Sequence, residues 1–163
     1  MAAASAEALL ALLGKPEGDP SVSAYLSSLI RPGRALPAPE VKRYPPSSVY
    51  VNHKTLGVSL CFEAGILDAV HVYADGADGF AGFAGALPHG IRLAPTTDQR
   101  ENENARRSTG KNIVEALGEP STKGNAGGMV WMQYDALGVK VDLAAADWED
   151  PDAPARCVSL WSP

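Results

Sequence analysis

The chain is poor in cysteine, in positive charge and in long apolar runs. Two cysteines, Cys61 and Cys157, are its whole complement, and neither has a CxxC partner. A disulfide framework is therefore not expected. Reduced thiols in a cytoplasmic protein are the simple reading, with a single Cys61–Cys157 bridge as the alternative. Lys and Arg number 14 against 19 Asp and Glu, for a formal net charge of −5. A nucleic-acid footprint needs a basic surface, so nucleic acid is not an expected partner, and neither is an anionic membrane. No run approaches the roughly 18 apolar residues of a bilayer span. The start, "MAAASAEALLALLG", is apolar, but Lys and Arg are missing from it and Glu7 interrupts it. A secretory signal needs a charged n-region, so this stretch reads as an ordinary helix.

Several chemistries are excluded on similar grounds. His53, His71 and His89 stand in separate blocks, without the tight pairing or Cys neighbours that zinc ligation requires. "RRSTGKN" fails as a phosphate loop: Ala105 stands where the leading Gly should be, and Asn112 where Ser or Thr should follow the Lys. "DGADGFAGFAG" offers Asp75 and Asp78 but too few oxygen ligands for calcium, and its GxxG rhythm does not make a dinucleotide site. The acidic stretch Asp147–Pro154 reads as a solvated tip, and no Ser or Cys has an elbow sequence around it. No cofactor, metal or catalytic residue is assigned.

What is present is normal for one globular domain: 163 residues, 45% hydrophobic and 20% charged, with three Trp, five Tyr and three Phe. The chain also spells one pattern twice. "VYVNHKTLGVSLCF" (Val49–Phe62) aligns without a gap on "VWMQYDALGVKVDL" (Val130–Leu143), and Leu-Gly-Val is identical in both. Upstream, "LLGKP" (Leu12–Pro16) mirrors "ALGEP" (Ala116–Pro120). Downstream, "AVHVY" (Ala69–Tyr73) mirrors "CVSLW" (Cys157–Trp161). Each unit reads as a helix stopped by Gly and Pro, a hairpin, then a third strand. Ser108 or Thr109 is the expected cap of the second helix. Gly57 and Gly138 are expected at a bulge or under a crossing backbone.

The expected fold is thus α+β. Two tandem helix-then-antiparallel-meander repeats, about 5–78 and 97–163, form a single compact domain over 1–163. The first repeat carries an insertion, Glu17–Ser48, with a short amphipathic piece and then a segment too rich in Pro to be regular. "KGNAGG" reads as a flexible turn. "TTDQRENENARR" extends the second helix or forms a loop.

The motifs "LLGKP…VYVNHKTLGVSLCFE…LDAVHVY" and "ALGEP…VWMQYDALGVKVDL…ARCVSLW" resemble the tandem-repeat fold of the beta-lactamase inhibitor protein. Their single unit is similar to that of small outer-membrane assembly lipoproteins. The resemblance covers most of the chain outside the insertion and part of the linker. It implies one curved sheet with helices on the convex side, and an inhibitor or immunity-type role. The chain lacks the lipoprotein cysteine near its start and the paired cysteines of the secreted inhibitor, so outer-membrane assembly is not implied.

Strand alternation assigns faces. Val58, Leu60, Phe62, Val139, Val141, Leu143, Val70, Val72, Val158 and Leu160 form the core set. Tyr50 and Trp131 are also assigned to the core. The other face presents Ser59, His71, Tyr73, Lys140, Asp142, Ser159 and Trp161. Aromatics among small polar groups compose a recognition surface; Tyr73 and Trp161 alternatively close over strand ends. The expected function is a non-enzymatic protein-binding module using this face, with a protein partner or self-association. The alternative is a small-ligand binder or weak enzyme whose pocket lies between His71, Tyr73, Trp161 and the Pro-rich loop at Leu36–Tyr44.

Overall fold

The computed structural model describes residues 4–93 and 107–163. The region read as "TTDQRENENARR" lies almost wholly outside them. Among the described residues, three α-helices accompany one eight-stranded antiparallel sheet.

Each helix is preceded by a residue whose side chain accepts from one of its free N–H groups. In α1 (Ala6–Leu10) the Ala8 N–H donates to Ser5 Oγ at 3.1 Å. In α2 (Pro20–Ser28) Asp19 caps and Pro20 takes the first turn, where its missing N–H costs nothing. In α3 (Gly110–Leu117) Thr109 and Asn112 exchange 3.2 Å backbone–side-chain bonds in a capping box. Caps are worth about 1 kcal/mol each, which is too little for helices this short. Tertiary burial of Leu9, Val22, Tyr25, Leu26 and Ile113 holds them in place.

The strands are β1 (Glu40–Tyr44), β2 (Ser48–His53), β3 (Val58–Glu63), β4 (Ile66–Tyr73), β5 (Thr122–Ala126), β6 (Met129–Tyr134), β7 (Val139–Leu143) and β8 (Ala155–Trp161). Their order in the sheet is β1-β2-β3-β4-β8-β7-β6-β5. Two of them lie where no strand is expected from the sequence. β1 sits inside the Pro-rich insertion, and β5 overlaps the segment read as a flexible turn. Both are edge strands, and an edge strand needs only one partner to direct it.

The order reads the same from either edge, and β4 and β8 meet in the middle. Ala69 faces Trp161, His71 faces Ser159 and Tyr73 faces Cys157. Local geometry follows the same correspondence. A single 3-10 turn links β2 to β3 (Lys54–Leu56) and β6 to β7 (Asp135–Leu137), and each ends on a left-handed glycine, Gly57 at φ 70° and Gly138 at φ 65°. Register shifts fall at Cys61/Phe62 and at Asp142/Leu143. The Tyr73 N–H donates to the Gly57 carbonyl and the Trp161 N–H to that of Gly138, each at 3.0 Å.

These two glycines lie under crossing backbone, one of the two expected reasons for them. A Cβ on Gly57 would stand 2.3 Å from the Ala81 carbonyl oxygen. One on Gly138 would stand 2.2 Å from that of Trp161. The core lies on one side of the sheet. Val58, Val70, Val72, Val141 and Val158 are completely buried there, in one cluster with the helix residues Leu9, Val22, Leu26 and Ile113. No helix among the described residues is long and apolar enough to cross a membrane.

Gly57→Ala and Gly138→Ala should each lower stability in urea denaturation by about 2 kcal/mol or more, from left-handed strain plus collision with a carbonyl. Gly14→Ala is the control. Its φ is +86° with nothing within 4 Å of the added carbon, so it should lose only about 1 kcal/mol, the strain alone. Equal losses at the three sites would remove the crossing backbone as the cause.

Candidate binding groove on the polar face of the sheet

The face opposite the core carries side chains in rows set by the register. The central row runs Thr122, Gln133, Lys140, Ser159, His71, Ser59, Asn52, Glu40 from one edge to the other. On one side lies the row Gly124, Trp131, Asp142, Cys157, Tyr73. On the other lies Trp161, Ala69, Cys61, Tyr50, Lys42. Tyr50 and Trp131 therefore belong to this face and not to the core. The register that the hairpin tips impose decides their side.

A groove of about 630 Å³ crosses these rows. Of the residues expected on this face, Ser59, His71, Tyr73, Lys140, Asp142 and Ser159 line it, together with Lys42, Tyr44, Ser48, Tyr50, Asn52 and Cys157. Trp161 does not: it lies half-buried at the end of β8, outside the groove. Asp78 and Phe80, from the turn after β4, complete the wall. Sequence reading missed these two, since "DGADGFAG" shows only turn glycines. Its one usable signal was Phe80, an aromatic placed among them.

Aromatic contacts fix the walls. Phe80 stacks on Tyr73 with ring centres 3.9 Å apart, Tyr50 stacks on His71 at 6.4 Å, and Tyr44 meets Tyr50 edge-on at 5.5 Å. Arg156 pins the turn by gripping both carboxylate oxygens of Asp78, at 2.5 and 3.3 Å. The Pro-rich stretch contributes Lys42 and Tyr44, so it borders the groove as a strand and not as an irregular loop.

The floor is polar and shielded from water. His71 Nδ1 and Ser159 Oγ share a 2.7 Å hydrogen bond across the β4–β8 seam. Ser59 Oγ donates to Asn52 Oδ1 at 2.6 Å. Burial, helped by the nearby Lys140 charge, lowers the His71 pKa below its ordinary value and holds the ring neutral near pH 7. Burial also raises Tyr73, pushes the Cys157 thiol up to about 12 and raises Cys61. Both cysteines are free thiols, and these shifts leave them poor nucleophiles. Among the described residues, no group of three or more His, Cys, Asp or Glu could hold a metal ion.

No family model, curated protein or solved structure matches this chain.

A histidine whose folded pKa is depressed binds its proton less readily in the native state than in the unfolded chain. Its contribution to stability is complete above the ordinary value of about 6.5 and is lost as pH falls below it. Desolvation shifts His53 in the same direction. The urea midpoint should therefore drop between about pH 7.5 and about pH 5.5, and His71→Gln should shrink that drop. An unchanged drop in the variant, or a His71 ring titrating above 6.5 by NMR, would contradict the assignment.

Proposed function

We propose that the protein is a non-enzymatic binding module that docks a protein partner in this groove, in an inhibitor or immunity-type role. The single observation that carries the reading is the convergence of Tyr44, Tyr50, Tyr73 and Phe80 on one groove whose floor is a set of small hydrogen-bonding groups. Aromatic walls supply contact area at low entropic cost, and a polar floor supplies direction. The same proposal takes the two halves of the sheet as repeats of one ancestral module, lining up a curved surface with the helices on its far side. Support comes from the matching turns at Gly57 and Gly138 and the symmetric strand order.

The His71–Ser159 contact favours a second reading, a small-ligand pocket or weak hydrolase. A neutral imidazole bonded to a hydroxyl is the start of a nucleophilic pair. Against it, Ser159 lies mid-strand with β4 on one side and β7 on the other. Its neighbouring N–H groups are spent in the ladders, leaving no backbone donors for an oxyanion.

The tests separate these readings. Light scattering should give the mass of one chain; a dimer would point to self-association through this face. In capture experiments from native lysate, Tyr50→Ala/Tyr73→Ala should lose a partner that wild type and Ile66→Ala both retain, with all three giving the same circular dichroism. A folded double variant that kept every partner would end the docking reading. A metabolite that raised the thermal midpoint of wild type but not of Ser159→Ala would favour the small-ligand reading.

A further inference from the structure

The groove has a charge left poorly compensated. Asp142 projects from β7 into it with its side chain only 25% exposed. Its one ion-pair partner among the described residues is Lys140, at 3.8 Å, too long for a hydrogen bond. Lys140 is divided: its ammonium also lies 4.9 Å from the centre of the Trp131 ring. The other nearby cation, Arg156, is committed to both oxygens of Asp78. Burial accordingly raises the Asp142 pKa, against the pull of Lys140 and Arg156. A carboxylate held this way in a half-dry site gains from any donor that reaches it. The rings of Tyr73 and Phe80 line the same groove.

We infer that the groove's anchor is a basic side chain of the partner, an arginine guanidinium seated on Asp142 beside the Tyr73–Phe80 pair. The inference rests on the protein-docking reading above and names the chemistry of the partner. A guanidinium fits because it is planar. It forks onto a carboxylate and stacks on an aromatic face in the same pose. On entry it displaces Lys140 from Asp142, and Lys140 keeps its place over Trp131. The net charge of −5 adds a field that draws a basic surface in.

The probe is the capped pentapeptide Gly-Gly-Arg-Gly-Gly, titrated into the full chain and followed by amide NMR. Its control carries citrulline, the neutral isostere, in place of arginine. The arginine peptide should move the amides of Tyr73, Asp142 and Cys157 saturably, and the citrulline peptide should bind at least about tenfold more weakly. Asp142→Asn should abolish the difference between the two peptides. Lys140→Gln should strengthen arginine binding, because a competitor is gone. Equal binding of the two peptides by wild type, no shifts in the groove, or weaker binding by Lys140→Gln would each overturn the inference. The peptide comparison in wild type needs no variant to fold. If these results were negative while Tyr50→Ala/Tyr73→Ala still lost its captured partner, the basic anchor would be wrong and the docking reading would stand. If that double variant kept its partner, the docking reading itself would fall.

Discussion

The β4–β8 ladder is the contact on which the molecule depends. Each group of four strands is a meander that would end on a bare apolar edge if it stood alone. Pairing those two edges closes the gap and sets Val70 beside Leu160 and Val72 beside Val158 in the core, each at 1% exposure or less. Burying side chains of this kind contributes roughly 2 kcal/mol each, more than a helix cap or a surface ion pair. The same pairing sets His71 opposite Ser159, so the step that unifies the core also makes the floor of the groove.

The two halves share a backbone plan but differ in the side chains they present. Where β2 and β3 carry Tyr50 and Cys61, the matching positions of β6 and β7 carry Trp131 and Asp142. Ser59 corresponds to Lys140, and Lys42 to Gly124. The first half gives the groove all three of its phenols, with Lys42, Ser48, Asn52, Ser59 and His71, and the second gives it Lys140, Asp142, Cys157 and Ser159. The turn after β4 adds Asp78 and Phe80 on one side only. The two halves thus match in strand order and turn geometry and differ in the side chains they offer the groove.

Much of this was legible in the sequence, for identifiable reasons. Period-two alternation placed Val58, Leu60, Phe62 and their counterparts in the core, and the residues between them on the polar face. A cap at Ser108 or Thr109 was readable because small hydroxyl residues stood just before a helical apolar pattern, and Thr109 is the one that caps. The repeated Leu-Gly-Val marked both glycines for a bulge or a crossing backbone, and the left-handed turn found at each was not foreseen. Other features were hidden. "EVKRY" has no buried position, and "TKGNA" has almost no strand propensity, so pairing with β2 and β6 decides their conformation and local preference does not. Tyr50 and Trp131 were misplaced because a shift of one residue in the register exchanges the faces. Asp78 and Phe80 reach the groove by a chain reversal that no periodicity records.

The outermost strand β5 contributes nothing to the lining of the groove, yet it governs the position of a residue that does. Trp131 lies against Gly124 so closely that a Cβ there would come within 2.6 Å of the indole. Lys140 in turn rests over that indole, and Lys140 lines the groove. A methyl group at the rim of the sheet would thus displace the ring on which the Lys140 ammonium rests. Position 124, at the rim, is in this way coupled to the groove through two side chains, Trp131 and Lys140.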